Sequence, residues 1–140
     1  MNINRSAGRT RGAAAYARVG VESDVMSASP HHLITLLFDG ADTAIRTAAV
    51  HLRDGSRAEK GKAISRALDI VNKGLLAALD FEHGGDLAGR MASLYDYIAR
   101  LLLRANLRDD AAALEEARRL LGELGSAWRE INPKREREGQ

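Results

Sequence analysis

The sequence predicts an all-α fold, an antiparallel up-down-up-down four-helix bundle with a flexible N-terminal arm. Apolar residues recur at intervals of three and four in four segments of roughly 20 residues, the spacing of helices that each bury one face. Only two prolines occur, at positions 30 and 133, so the span between them lacks the strongest helix breaker. Gly84 and Gly85 separate two of these segments, and a short turn there forces the flanking helices to pack antiparallel.

The chain has 140 residues, which is enough for one domain with a sizeable core. Hydrophobic residues make up 45% and charged residues 29%, a balance typical of a globular protein. We predict a flexible arm over residues 1–28 with a short helix at 13–19, the bundle over 29–132, and a disordered charged tail over 133–140.

Composition excludes several classes of protein. A net charge of +2 is too small to predict a nucleic-acid partner on charge alone. The absence of cysteine excludes disulfides and thiolate metal sites. No apolar run approaches the roughly 20 residues that span a bilayer, and no apolar stretch follows the N-terminal arginines. We therefore predict a cytoplasmic (cytosolic) protein without a signal peptide and without membrane insertion.

Local signals define the first two helices. Ser29 is a good N-cap and Pro30 a good first helical residue, while Gly55 ends the first helix. The run from Ser56 to Glu59 is a capping box that opens the second helix, which continues to the glycine pair. Their apolar stripes contain Leu33, Ile34, Leu37, Phe38, Ala41, Ala44, Ile45, Ala48 and Leu52, and then Ile64, Ala67, Leu68, Val71, Leu75, Ala78 and Leu79.

The third and fourth helices are predicted in the same way. The third begins near Leu87 with Asp86 as its N-cap, and residues 106–110 connect it to the fourth, which an aspartate caps. The pair Asn132-Pro133 ends the fourth helix. Their apolar stripes contain Met91, Leu94, Tyr95, Ile98, Leu101, Leu102 and Ala105, and then Leu114, Ala117, Leu120, Leu121, Leu124, Trp128 and Ile131.

The sequence offers little catalytic chemistry. A di-iron bundle needs two Glu-x-x-His pairs, and none occurs; Asp80 and His83 have that spacing only once. His31 and His32 are adjacent and point about 100° apart on a helix, so we predict that both face solvent. Neither a phosphate-binding loop nor a nucleophile elbow is present. We predict that the protein is not an enzyme and binds neither a metal nor another cofactor.

Two helices carry more apolar residues than one buried stripe requires. The first has Leu33, Ile34, Leu36, Leu37 and Phe38 almost around one turn. The third has Leu101, Leu102 and Leu103 in succession. Some of these side chains should therefore lie in exposed grooves. An apolar groove of this kind typically binds an amphipathic helix of a partner.

The order of short motifs resembles the family of flagellar export chaperones called FliS. Over residues 16 to 131 the matching stretches are Ser29-Pro30-His31-His32-Leu33-Ile34, Leu37-Phe38-Asp39-Gly40-Ala41, Ile64 to Val71, Leu79 to Ala88, Leu94-Tyr95-Asp96-Tyr97, Ala105-Asn106-Leu107 and Ala127 to Ile131. Each motif alone is weak, and the ordered set is specific.

This resemblance implies a cytoplasmic chaperone that binds the disordered C-terminal segment of flagellin. Flagellin held in this way neither polymerises prematurely nor is degraded, and it passes to the flagellar type III export apparatus. A regulatory protein that competes for the groove is a further candidate partner. By analogy with the family, Tyr16 in the N-terminal arm occupies part of the groove while the client is absent.

We predict flagellin contacts along the first three helices and the arm, although each apolar position is as consistent with the core as with a groove. Charged residues at Val71 and Leu75 should then abolish client binding and leave the bundle helical. The predicted contacts are Tyr16, Leu33, Ile34, Leu37, Phe38, Ile64, Leu68, Val71, Leu75, Tyr97 and Ile98.

Two other functions remain open at this point. A histidine phosphotransfer bundle would use His51, although Asp54 places a negative charge beside the phosphoryl site. A small nucleic-acid-binding accessory protein would use basic residues at both ends of the chain, and its affinity would fall steeply with salt. These basic residues are Arg5, Arg9, Arg11, Lys134, Arg135 and Arg137.

Overall fold

A computed structural model describes residues 29–131 as four helices. They are α1 (Pro30–Asp54), α2 (Arg57–Asp69), α3 (Phe81–Arg108) and α4 (Ala111–Glu130), and a π-helical segment, Ile70–Leu76, continues α2. Helix α1 packs against α2 and α4, and α3 packs against α2 and α4, so the helices form a ring in chain order. The predicted all-α, up-down-up-down bundle is confirmed. The predicted arm, its helix at 13–19, the Asn132-Pro133 stop and the tail lie outside the described residues.

Helix α1 begins and ends where its local signals predict. The Ser29 hydroxyl accepts the His32 backbone N–H at 3.1 Å, and Pro30 is the first helical residue. At the other end Gly55 adopts φ 75°, and its N–H and that of Ser56 donate to carbonyl groups of the last turn. These bonds satisfy groups that a helix end leaves without partners inside the helix.

The predicted capping box at the start of α2 is wrong. The Ser56 side chain makes no capping hydrogen bond. The reason is that the Ser56 backbone stabilises the end of α1, because its N–H donates to the His51 carbonyl at 2.9 Å. This role holds Ser56 at φ −86° and ψ 80°, away from the extended conformation of an N-cap.

A buried lysine instead fastens the first turn of α2 to the turn between α3 and α4. Lys60 is 4% exposed, and its ammonium donates to the Asn106 carbonyl at 3.0 Å and to the Asp109 carboxylate. Arg57 donates to the same carboxylate at 3.3 Å. The hydrogen bond from Lys60, more than any other interaction, lowers the pKa of Asp109 below its ordinary value near 3.8.

This lowered pKa gives a testable pH dependence. A group with a lower pKa in the folded chain contributes stability above its unfolded pKa and loses it as the pH falls through the folded pKa. As the pH falls below the ordinary value near 3.8, we expect the urea midpoint of Asp109→Asn to decrease less steeply with pH than that of the parent chain. Asp54→Asn is the control, because the exposed Asp54 makes no ion pair with any residue of 29–131. An unchanged slope in Asp109→Asn would contradict the role of this pair.

The reversal between α2 and α3 lies earlier than predicted. Helix α2 does not run to the glycine pair, because its continuation, the π-helical segment, ends at Leu76 and residues 77–80 make the turn. Asp80, and not Asp86, is the N-cap of α3, and it accepts the N–H groups of Glu82 and His83. The glycine pair lies inside α3, where Gly85 adopts φ 52° and ψ −130° and kinks the helix.

The π-helical segment brings its backbone unusually close to α1. A methyl group built on Gly74 would lie 3.1 Å from two carbons of Leu37. Glycine at this position therefore allows the fully buried Leu37 side chain to pack directly on the helix backbone. The extra residue that a π-helical turn contains shifts the side chains that follow it, including Leu75, relative to a regular α-helix.

The connection between α3 and α4 is shorter than predicted. Helix α3 continues through Asn106 to Arg108, and only Asp109 and Asp110 separate it from α4. Asp109 adopts the left-handed conformation with φ 51°. Asp110 accepts the Ala113 N–H at 3.0 Å, so the prediction that an aspartate caps the fourth helix is confirmed.

The first turn of α1 and the last turn of α4 are joined by a stacked pair. The rings of His31 and Trp128 have centroids 4.7 Å apart. Trp128 Nε1 donates to the His31 carbonyl at 3.0 Å, and His31 Nε2 lies 2.9 Å from the Trp128 carbonyl. The prediction that His31 faces solvent is therefore wrong, whereas His32 is exposed.

Candidate functional site

Exposed apolar side chains are concentrated on one helix. Within residues 29–131, seven large hydrophobic side chains are exposed, and five of them belong to α3. Such residues usually lie in the core, and their concentration on one helix makes that helix the candidate binding element. The five are Phe81, Leu87, Tyr97, Leu103 and Leu107, and we call them the α3 apolar row.

Leu103 and Leu107 form the C-terminal part of the α3 apolar row, and Leu107 is its most exposed member. They are four residues apart, so they lie on the same face of α3, and they are 48% and 82% exposed. The next residues toward the core, Leu102 and Ala105, are fully buried. Asn106, three positions after Leu103, lies beside Gly61 of α2, which places Leu103 on the α2 side of α3. This pair therefore faces solvent, away from the core.

Tyr97 lies on the other side of α3, at the seam with α4. Its hydroxyl donates a hydrogen bond to the Glu116 carboxylate of α4. This bond is the main cause of a raised pKa for the Tyr97 hydroxyl. The ring presents apolar surface to solvent while its polar end is fixed.

Phe81 and Leu87 lie at the beginning of α3, on either side of the kink at Gly85. Asp80 fixes this end of the helix by capping it, and its carboxylate lies 2.7 Å from His83 Nδ1. The bond to His83 is the largest cause of a lowered pKa for Asp80. These contacts favour the charged form of the carboxylate, and the turn that it caps begins with the exposed Phe81.

A concave surface lies between α1 and α2. It has a volume of about 640 Å³ and mixes apolar with charged lining. Leu36, one of the out-of-phase leucines of the first helix, is half-buried at its edge. Asp39 and Glu59 oppose Lys62 and Arg66 along its rim, so this groove has no excess of either charge.

Groups that would bind a metal do not converge in the described part of the chain. No cluster of three or more His, Cys, Asp or Glu side chains suited to a metal ion occurs within residues 29–131. None of the helices over the same residues is long and apolar enough to cross a membrane.

Comparison with known proteins decides the family. The family model described as "Flagellar protein FliS" matches residues 12–135. The chain belongs to the FliS family. It is 52% identical over 123 residues to the flagellar secretion chaperone FliS of Salmonella typhimurium, covering 88% of this chain and 91% of that protein. It is 42% identical over 120 residues to the flagellar secretion chaperone FliS of Escherichia coli K12, covering 86% and 88%. FliS of Bacillus subtilis is a more distant relative, with 26% identity over 111 residues, which cover 78% of this chain and 80% of that protein.

In this FliS family member, most of the predicted contact residues lie inside the bundle. Of the ten that fall within residues 29–131, seven are buried, two are half-buried and one is exposed. Tyr16 lies outside the described residues. The buried ones are Leu33, Leu37, Phe38, Ile64, Val71, Leu75 and Ile98, the half-buried ones are Ile34 and Leu68, and Tyr97 is exposed. Six of the seven belong to the central hydrophobic cluster and Leu33 does not, and the role of all seven in binding stays a prediction.

The sequence-based list missed four members of the α3 apolar row. Leu103 and Leu107 do not fit the 3.6-residue stripe that contains Leu102 and Ala105, and that mismatch is the signal that identifies them. The expectation that some of the consecutive leucines of the third helix are exposed is confirmed for Leu103. Phe81 and Leu87 lie near a turn, where periodicity carries no information about exposure.

Proposed function

We propose that this FliS family member binds the disordered C-terminal segment of flagellin in the cytosol. Bound flagellin is kept from polymerising prematurely and is delivered to the flagellar type III export apparatus. The observation that carries the proposal is the α3 apolar row, which offers a chaperone of this family an exposed surface for an unfolded client. The same surface needs no catalytic residue and no cofactor.

The length of α3 suits an extended client. A disordered segment loses conformational entropy when it binds and must recover it by burying apolar area, at about 25 cal/mol per Å². Helix α3 has 28 residues. Gly85 interrupts it, and the 23 residues from 86 to 108 span about 35 Å at about 1.5 Å per residue. Apolar contacts distributed from Phe81 to Leu107 allow a segment to bind at several points along this length.

Binding of a flagellin C-terminal peptide to the full chain and to a variant without residues 1–20 tests the proposal. We expect the full chain to bind the peptide and not a flagellin N-terminal peptide of equal length. If the arm with Tyr16 covers part of the surface, the truncated variant binds more tightly. Isothermal titration calorimetry at low and high salt measures both effects.

Salt dependence separates this function from the nucleic-acid alternative. Apolar burial changes little with salt, whereas the affinity of a nucleic-acid complex falls steeply as counterions compete. Absence of flagellin binding by both the full and the truncated chain would overturn the proposal.

A further inference from the structure

A second surface, which shares no residue with the α3 apolar row, lies between α1 and α4. The C-terminal half of α1 and the first half of α4 border a cleft of about 900 Å³, which the start of α2 and the turn between α3 and α4 close at one end. We call it the end cleft. Because the four helices form a ring in chain order, the α1/α4 seam lies across the bundle from the α2/α3 seam.

The end cleft is rich in positive charge. Five cationic side chains line it, and two carboxylates, those of Asp109 and Glu115, also do so. A third carboxylate, that of Asp42, contacts two of the cations from the edge. Five positive charges thus face three negative ones. The five cationic residues are Arg46, Arg53, Arg57, Lys60 and Arg118.

The carboxylates are shared, and this leaves positive charge uncompensated. Asp42 lies 3.1 Å from Arg46 and 3.2 Å from Arg118, so one carboxylate serves two guanidinium groups. The Asp109 carboxylate likewise forms ion pairs with both Lys60 and Arg57. Arg53 makes no ion pair with any residue of 29–131. A partner with carboxylates of its own would gain charge-assisted hydrogen bonds here.

The bottom of the end cleft is apolar. Ile45 and Leu114 are buried at its base, and Ala49 and Val50 of α1 are exposed beside them, Val50 to 42%. An inorganic anion would gain nothing from this apolar base, and the one deeply buried cation, Lys60, already has two acceptors. The combination matches a helix with an apolar stripe and acidic edges.

From this geometry we propose that the end cleft binds an acidic amphipathic helix of a protein partner. A helix about 10 Å wide occupies about 420 Å³ per 5.4 Å turn, so the cleft accepts about two turns. The apolar stripe of that helix lies on Ala49 and Val50, and its carboxylates meet Arg53 and Arg57. Since none of the residues that line the end cleft belongs to the α3 apolar row, the partner and the flagellin segment bind independently.

A designed peptide tests this proposal directly. The probe is a labelled helix of about 18 residues, or five turns, with a leucine stripe flanked by glutamate. A matched probe carries lysine in place of glutamate. By fluorescence anisotropy we expect the full chain to bind the acidic probe at least tenfold more tightly than the basic one. We expect Arg53→Glu with Arg57→Glu to weaken the acidic probe at least tenfold.

Lys62→Glu with Arg66→Glu is the control, because it changes the net charge equally at the α1/α2 groove. The control should bind the acidic probe within twofold of the parent chain. Equal weakening by both variants, or no binding by the parent chain, would overturn the proposal. So would displacement of the acidic probe by the flagellin peptide, because the two sites are then not independent. Failure of the flagellin peptide to bind at all would affect the proposed function and not the end cleft.

Discussion

Val71→Asp is expected to unfold this protein at 25 °C. Val71 is 0% exposed, lies in the π-helical segment and belongs to the central hydrophobic cluster. A single carboxylate without a partner costs at least several kcal/mol when it is buried, which is comparable with the about 5–15 kcal/mol that stabilises a domain. Far-ultraviolet circular dichroism should show most of the helical signal lost.

Val50→Asp is the matched control for this prediction. The same substitution falls on a valine that is 42% exposed on α1, and its effect on the free energy of unfolding should stay within about 0.5 kcal/mol. A folded Val71→Asp variant that loses only flagellin binding would contradict the core assignment. It would restore the interpretation of Val71 and Leu75 as groove residues.

The pair Leu103→Asp with Leu107→Asp should abolish most flagellin binding and leave the bundle folded. Both leucines are exposed in the described structure, so their replacement removes little of its core. Each leucine that a client buries contributes about 1.5 kcal/mol, and the loss of two corresponds to about a hundredfold weaker affinity. Calorimetry with the flagellin C-terminal peptide measures the affinity, and thermal unfolding checks the fold.

The double variant Val50→Asp with Ile131→Asp serves as the control for that experiment. Both residues are large, apolar and similarly exposed, and neither belongs to α3. Its affinity for the peptide should stay within twofold of the parent chain. If the two double variants lose affinity equally, the client is not localised on α3.

Helix ends could be predicted from sequence where a local side chain decides them. Ser29 and Asp110 cap the helices that they precede, and Gly55 ends α1, since each bond joins residues a few positions apart. The turn between α2 and α3 could not be predicted. Asp80 and Asp86 are equally good caps in isolation, and the choice depends on packing across the bundle, including Leu37 against Gly74.

The candidate site was harder to predict than the fold. A 3.6-residue stripe identifies the face of a helix that is buried, and it does not distinguish burial in the core from burial under a client. Val71 and Ile98 fit the stripe and are fully buried, whereas Leu107 lies outside it and is the most exposed large apolar residue described. Lys60 was also missed, because its partner Asp109 is 49 positions away in sequence.

Protection of residue 107 by the bound client tests the central claim most directly. The chain contains no cysteine, so Leu107→Cys introduces a single thiol on the α3 apolar row. Saturation with the flagellin C-terminal peptide should slow alkylation of that thiol at least tenfold, and alkylation of a Val50→Cys control should not change. An unchanged rate at position 107 while the peptide is bound would contradict binding along α3.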